Sequence, residues 1–414
     1  MRILLGVHQF FPKYYAGTER YVLNLARQFQ RFGHQVKVLT YAFNEDGHFQ
    51  KGYSPKMYRK EYSYQGVPVV ALKHAHQPDD HSFLFNFFDD EIYREVKMML
   101  ERDDPYDIFH CAHPFRIASS VPAARETGCK VVAMITDYFL MCPHGIMLRL
   151  DNTLCTGPEE GRNCRKYCFS RVTAHTWQKR MAQARDVVSL CDCMLSPSRF
   201  LIGLFDYSGV IPASHFALSR HGFDYALKQN WVLKEPGKTI TFGYIGTIQY
   251  HKGVHIMLEG FSKCSAPQIR LQVWGGCYGD EGYQKRITKM AKKDPRIEIK
   301  GPYDYERIGE TLREIDAVVV PSIWYENAPL TILSGLAFGI PVITSDIGGM
   351  REMVEDGKNG FIFRVGSPDS LAEKMKLIAE EPGVLSSIRK TAGFPIRIEE
   401  EALNAEMVFR GLLQ

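Results

Sequence analysis

The stretch whose residue types could do most chemistry reads Pro321-Ser322-Ile323-Trp324-Tyr325-Glu326-Asn327-Ala328-Pro329-Leu330-Thr331-Ile332-Leu333-Ser334-Gly335. It leaves an apolar run of strand length, passes a polar turn and enters a helical pattern with Pro329 near the first position, where a missing N–H is harmless. The next amides, of Leu330 and Thr331, then have no acceptor inside the helix and form a seat for an anion. Glu326 stands just ahead, placed to accept hydrogen bonds from neutral hydroxyls. A molecule with sugar hydroxyls at one end and a diphosphate at the other satisfies both features. The plainer reading makes Glu326 only a capping carboxylate.

A second chemical cluster is Cys142, Cys155, Cys164 and Cys168, four sulfurs within twenty-seven residues that also carry Gly157-Pro158 and Gly161. They could close a tetrahedral zinc site that staples a polar loop. The spacing is looser than paired C-x-x-C, so free thiols and a strained disulfide stay open beside it, and in every case the role is structural. Cys191 and Cys193 alternate across a strand, and Cys111, Cys129, Cys264 and Cys277 read as small buried apolar residues. Between 161 and 185 stand Arg162, Arg165, Lys166, Arg171, Lys179, Arg180 and Arg185 with no acidic residue and with Tyr167, Phe169 and Trp177 interspersed. Such a run is usually a solvated face; the sharper reading is contact with an anionic lipid or lipid diphosphate, each cation contributing about 1 kcal/mol near such a surface. The aromatic run 83–88 reads as core or as an acceptor-side patch. Asp79-Asp80, Asp89-Asp90 and Asp103-Asp104 sit in polar or helical contexts and read as solvated, so no Asp-x-Asp pair at a strand end argues for magnesium.

The elements that must carry these residues follow from periodicity. Residues 2–7 form an apolar strand; after a loop ending at Gly17, Thr18 reads as an N-cap and Glu19 as a first-turn carboxylate, with Val22, Leu25, Ala26 and Phe29 at helical spacing. Gly33 stops that helix and 35–40 is a second strand, a unit that implies a parallel sheet. Residues 107–110, 131–136 and 192–196 continue as buried strands. The pattern restarts at 239–246 with a strand, a loop through His251-Lys252-Gly253 and a helix burying Val254, Met257, Leu258 and Phe261. Strands at 269–274, 296–300, 316–320 and 341–344 follow. A polar stretch at 227–238 with Pro236-Gly237 suits a linker. Two doubly wound domains with ligands beyond the carboxyl ends of their strands are the economical α/β architecture. The last helix, about 399–413, fits either domain.

The chain has 414 residues, enough for two domains, and 45% hydrophobic with 24% charged residues excludes disordered and fibrous classes. A formal charge of +4 is too small for general nucleic-acid binding. No apolar stretch approaches the ~20 residues of a bilayer span, the start at Met1 does not read as a signal peptide, and ten cysteines in so long a chain do not suggest a secreted disulfide framework. The expectation is a cytoplasmic protein.

From 321 through 363 the chain resembles the signature region of retaining glycosyltransferases of family 4, which have the two-domain GT-B fold and carry a Glu, seven residues and a second Glu. The resemblance extends over nearly the whole chain: Gly17-Thr18-Glu19 is similar to the glycine loop of the family's first domain, 246–253 to the loop with the donor lysine, and Ser345-Asp346-Ile347-Gly348-Gly349 to the turn after the signature helix. It implies two Rossmann-like domains facing a cleft, 1–225 for the acceptor and 226–397 for the nucleotide sugar, with a helix at about 398–414 packing back on the first. It further implies that Glu326 binds hydroxyls of the donor sugar, that the amides around Ala328, Leu330 and Thr331 hold the diphosphate and sugar with Asn327, Pro329 and Ser334 also in the donor site, and that Lys252 neutralises the leaving diphosphate. Gly17 and Thr18 would approach from the first domain, Gly246 and Thr247 would flank the diphosphate, Tyr303 would lie beside the base, and Thr136 and Asp137 near the donor sugar.

Four positions depart from the family. The second signature Glu, which usually holds the ribose, is Ser334; the Arg five residues before the lysine is Thr247; the His before Asp137 is Thr136; the second glycine of the first loop is Thr18. Losing the Arg removes charge-assisted contacts worth about 1.5–3 kcal/mol. The resemblance implies transfer of a sugar from a nucleoside diphosphate, a UDP-sugar favoured, to a saccharide or lipid-linked saccharide, without a catalytic metal or a dedicated protein base. A weak nucleotide-sugar binder or assembly subunit, and a sugar-nucleotide epimerase, are the alternatives. A dinucleotide oxidoreductase is disfavoured because residues 8–17 lack the glycine spacing that pyrophosphate binding there requires.

Overall fold

The computed structural model describes every residue from 1 to 414 except 46, 230, 234–236, 278 and 392. The chain separates into one unit of Met1–His221 with Ile398–Gln414 and a second of Gly222–Arg397. Part of the expected linker, including Pro236, lies outside the described residues; Tyr225–Lys228, at its start, is a short 3-10 helix of the second unit.

In the first unit the strands are β1 (Arg2–Val7), β2 (Gln35–Tyr41), β3 (Gln50–Lys51), β4 (Met57–Tyr64), β5 (Val67–His74), β6 (Ile108–Cys111), β7 (Lys130–Met134), β8 (Cys193–Ser196) and β9 (Phe216–Leu218). They form one sheet in the order β3-β4-β5-β2-β1-β6-β7-β8-β9, parallel except that β4 runs antiparallel to both β3 and β5. The central strands are mostly apolar and buried, as in parallel sheets covered on both faces; β1 reads half-buried only at Arg2. The antiparallel edge was not expected: β4 alternates Arg59, Glu61 and Ser63 with bulkier residues, the mark of a strand with one wet face.

The second unit has β10 (Ile240–Ile245), β11 (Ile269–Trp274), β12 (Ile297–Gly301), β13 (Ala317–Val320), β14 (Val342–Ser345) and β15 (Gly360–Phe363), all parallel in the order β12-β11-β10-β13-β14-β15. The order reverses direction beside β10 and β13, and a sheet of this kind opens its ligand crevice where neighbouring strands send their connections to opposite faces. Its core is built on Phe242, Phe261, Leu271, Val319 and Ile343.

Several sequence expectations need correction. Thr18 is not an N-cap: the helix is Gly17–Arg31 with Ala16 in the cap position and no side-chain cap. Of the two readings of the aromatic run, core is the one observed: Phe83, Phe85 and Phe87 are all buried. Of the aspartate pairs, Asp90 and Asp104 are exposed as expected, whereas Asp79 and Asp89 cap helices and Asp80 takes a two-pronged bond from Arg116. Arg180 is no part of a solvated face; it is fully buried, whereas Arg162, Arg165, Lys166, Arg171, Lys179 and Arg185 are exposed.

The terminal helix Ile398–Leu413 contributes Ala402, Ala405 and Phe409 to the first unit's core, where the Phe409 ring lies 5.5 Å from Phe29 and 5.7 Å from His110. Phe409→Ala should therefore cost about 3–5 kcal/mol in urea unfolding followed at the first unit's transition. A change below 1 kcal/mol would show that this helix is not integral to that core.

Candidate active site

The chemistry-bearing residues of the second unit sit on loops that leave β10 and β13 at their carboxyl ends. The helix after β13 is Leu330–Ala337, with Pro329 itself in the cap position, one residue earlier than the sequence suggested. The Pro329 carbonyl accepts from Ile332 and Leu333, so the amides of Leu330 and Thr331 are the ones the helix leaves without an internal acceptor. The Thr331 hydroxyl donates to the Ile245 carbonyl at 3.0 Å and ties this helix start to the end of β10. Ser334 is buried and donates to the Leu330 carbonyl at 2.8 Å, so its proton points along its own helix. Asn327 is buried and Ala328 half-buried in the turn between Glu326 and the helix.

Glu326 is the hub. Its Oε1 accepts from Lys252 Nζ at 2.7 Å, from the Ser322 hydroxyl at 2.7 Å and from Trp324 Nε1 at 2.9 Å. Oε2 stands outside this set. Burial alone pushes the Glu326 carboxyl up, but the Lys252 charge and these hydrogen bonds outweigh it and hold the carboxyl below its ordinary value. Lys252 ends the short 3-10 turn Tyr250–Lys252, is partly exposed, and lies 5.1 Å from the Trp324 ring centre. Neighbouring His251 is pushed down to about 4 by burial and by the Lys252 charge, which overcome the opposing pull of Glu326, so it stays neutral around pH 7.

Two glycines let the loops meet. Gly253 has φ +70°, and a Cβ there would stand 1.9 Å from the Pro321 carbonyl oxygen; the adjacent His251 carbonyl accepts from the Ile323 amide at 2.9 Å. Gly348 has φ +63°, and a Cβ would stand 2.6 Å from the Glu326 carbonyl oxygen, which accepts from Gly349 at 2.8 Å. The Glu326 turn is thus clamped from the lysine loop on one side and the turn after β14 on the other. Gly246 and Thr247 follow β10 directly, with the Thr247 carbonyl taken by the Tyr244 hydroxyl at 2.6 Å. Tyr303, half-buried just after β12, lies within electrostatic reach of that same Tyr244.

The first unit has its own polar cluster at strand ends. The Thr18 hydroxyl donates to the Thr136 hydroxyl at 3.2 Å, and Gly17 opens the helix beside it. Asp137 accepts from His113 Nε2 at 2.8 Å and from the Phe139 amide at 2.8 Å. The His113 ring lies 4.3 Å from that of His8, and His8 Nε2 lies 3.6 Å from Glu19. Burial pushes the Glu19 carboxyl up, and burial with the charges of His113 and Arg116 pushes His8 well down. The sequence reading passed over His8 and His113; each stands just past the carboxyl end of β1 or β6, and that placement was the available signal.

All four cysteines of the loop cluster line a single cavity of about 10 Å³, together with Met147, Asn163 and Phe169. They are free thiols, and among the described residues no three His, Cys, Asp or Glu side chains stand as a metal-ligand set.

Two parallel-sheet α/β units of this kind, with loops gathered at the strand ends, are the GT-B fold, and the HepE protein of Anabaena in complex with UDP matches over 99% of this chain and 100% of its own with a TM-score of 0.71 at 16% identity. Residues 227–393 match the family of glycosyl transferases group 1, and 16–213 match the glycosyl transferase 4-like domain. The two family models together span most of both units, and the fold is that of the GT-B glycosyltransferases. A glycogen synthase of Thermus thermophilus is 28% identical over 146 residues, 34% of this chain and 33% of its own length. A putative colanic acid biosynthesis glycosyltransferase of Salmonella typhimurium is 24% identical over 192 residues, 44% of this chain and 47% of its own. The chain thus covers between a third and a half of the length of these two relatives.

Because the Glu326 carboxyl is held below its ordinary value of 4.5, the stabilisation from its pairing is complete above that value and is lost as pH falls through the lowered one. Glu326→Gln should lower stability by about 2 kcal/mol at pH 7. In thermal unfolding scans the gap to the parent should close on acidification toward pH 3; a gap that is independent of pH would contradict the pairing.

Proposed function

We propose that the protein is a retaining transferase that moves a sugar from a nucleoside diphosphate, with UDP the favoured nucleotide, to a hydroxyl of a saccharide or lipid-linked saccharide. The observation that carries this reading is the pairing of Lys252 with Glu326 directly ahead of the unsatisfied amides of Leu330 and Thr331. Glu326 offers Oε2 to sugar hydroxyls. The helix start offers N–H groups to a diphosphate, and Lys252 can turn from Glu326 to meet the charge that appears there. The UDP complex of the structurally similar Anabaena protein supports the choice of nucleotide.

In the reaction, the bond from the anomeric carbon to the leaving phosphate oxygen breaks and a bond to the acceptor oxygen forms on the same face. The acceptor proton passes to the departing phosphate, so no protein base is assigned. The diphosphate gains negative charge as it leaves, and preorganised donors aimed at it are worth ~10²–10³ in rate each. Lys252 and the two amides are those donors, and the proposal needs no metal. Thr247 supplies no second cation, and Ser334 directs its proton at Leu330, so the nucleotide is held with fewer charged contacts than the family pattern implies. The six exposed cations between 162 and 185 support contact of the first unit with an anionic surface on the cytoplasmic side of a membrane, where a lipid-linked acceptor would sit.

Turnover of a panel of nucleotide sugars, with and without saccharide acceptors, tests this. Lys252→Ala should lower kcat by 10²–10³-fold while leaving the fold intact by circular dichroism. Binding of nucleotide sugar without turnover would replace the reading with a binding protein, and conversion of the donor sugar without acceptor would replace it with an epimerase.

A further inference from the structure

The segment 142–168 poses a problem that its own packing does not solve. Apart from the helix Arg162–Tyr167 and a lone bridge between Leu148 and Leu154, it has no regular structure. It holds four of the seven non-glycine residues with positive φ among the described residues, at Met147, Asn152, Glu159 and Glu160, each a conformation that costs free energy. Its buried apolar side chains are few, Met147 and Leu148 chief among them. Something beyond apolar burial must hold this loop in one shape.

The four cysteines converge inside it. Cys142, Cys155, Cys164 and Cys168 share the walls of one cavity of about 10 Å³, the volume of a single small ion or water and too small for a multi-iron cluster. Cys164 lies within electrostatic reach of all three others. Backbone N–H groups already face the sulfurs: those of His144 and Met147 toward Cys142 and that of Leu150 toward Cys168. Amides so placed favour a thiolate, but burial outweighs them and pushes the Cys142 and Cys168 thiols up, so the charged form needs a cation in the cavity.

A charge argument points the same way independently. Arg180 is fully buried within electrostatic reach of Cys142 and Cys164, and its guanidinium donates to the carbonyls of Leu84, Phe139 and Leu140. No carboxylate pairs with it among the described residues, while Cys142 and Cys164 are the groups whose negative charge would act on it. Burying an unpaired cation costs several kcal/mol, and buried charges are ordinarily matched by an opposite one. With four neutral thiols, Arg180 has three carbonyls and the ring faces of Phe87, Phe139 and Trp177 but no anion; a divalent ion with four thiolates carries a net double negative charge and supplies one.

We propose that Cys142, Cys155, Cys164 and Cys168 bind one zinc ion as a tetrathiolate site whose charge Arg180 balances. Each thiol releases its proton to solvent as its sulfur–zinc bond of about 2.3 Å forms. With the sulfurs as thiols no three of them stand at ligand spacing; closing onto an ion requires adjustment of side chains around a cavity they already share. The site braces the turn that begins at Asp137, because the Gly145 amide donates to the Cys142 carbonyl and the Tyr138 amide to that of Gly145.

Elemental analysis of the full chain, purified without added metal and dialysed against a mild chelator, should find one zinc per chain. Titration with an organomercurial should release it as four thiols react. The double substitution Cys155→Ser with Cys164→Ser should abolish it, whereas Cys191→Ser should retain it. If the double variant does not fold, replacement of the ion by cobalt(II) gives a second readout, the intense visible bands of a tetrahedral thiolate site. Arg180→Met should make the ion easier to strip with chelator. Absence of stoichiometric metal with all four thiols reactive after denaturation, two thiols missing as a disulfide, or iron with inorganic sulfide would each overturn the proposal.

Discussion

The second unit is organised around a carboxylate that must stay ionised away from water. Glu326 is buried, and an unpaired buried carboxylate would take up a proton instead. Lys252, Ser322 and Trp324 prevent this by converging on one oxygen. That convergence requires the lysine loop and the Glu326 turn to touch at backbone distance, which explains Gly253 against Pro321 and Gly348 against Glu326. The strands β10 and β13 are neighbours in the sheet, so the loops that leave their carboxyl ends are adjacent for topological reasons. The site is therefore a consequence of strand order, two glycines and one ion pair.

Under the proposed function, the same pair lets one site serve two charge states. While Lys252 holds Glu326, the cation is occupied and partly screened. On that proposal a diphosphate at the helix start would offer it a stronger partner, while the carboxylate keeps its bonds from Ser322 and Trp324. Glu326 can then accept from sugar hydroxyls without becoming an unsatisfied buried anion. A capping role alone would not demand three donors on one oxygen.

Much of the fold was legible because parallel strands buried on both faces read as continuous apolar runs: the expected and observed bounds of β1 and β11 coincide, and those of β2, β6 and β13 differ by a residue. The antiparallel edge of β3, β4 and β5 was missed because half-wet strands alternate and carry charges such as Arg59 and Glu61. At the helix starts, composition misled: Thr18 has the right chemistry for a cap but spends its hydroxyl on Thr136, and Pro329 occupies the cap rather than the first turn. Arg180 was hidden within a basic run because no pattern in one dimension separates a buried guanidinium from its exposed neighbours. His8 and His113 are far apart in sequence and meet only because β1 and β6 pair.

The most direct measurement is a crystal structure of the protein with UDP. The account expects the pyrophosphate within hydrogen-bonding distance of the Leu330 and Thr331 amides, with Lys252 Nζ drawn from Glu326 toward it. A pyrophosphate bound elsewhere, or seated at that helix start with the 2.7 Å contact between Lys252 and Glu326 unchanged, would contradict it.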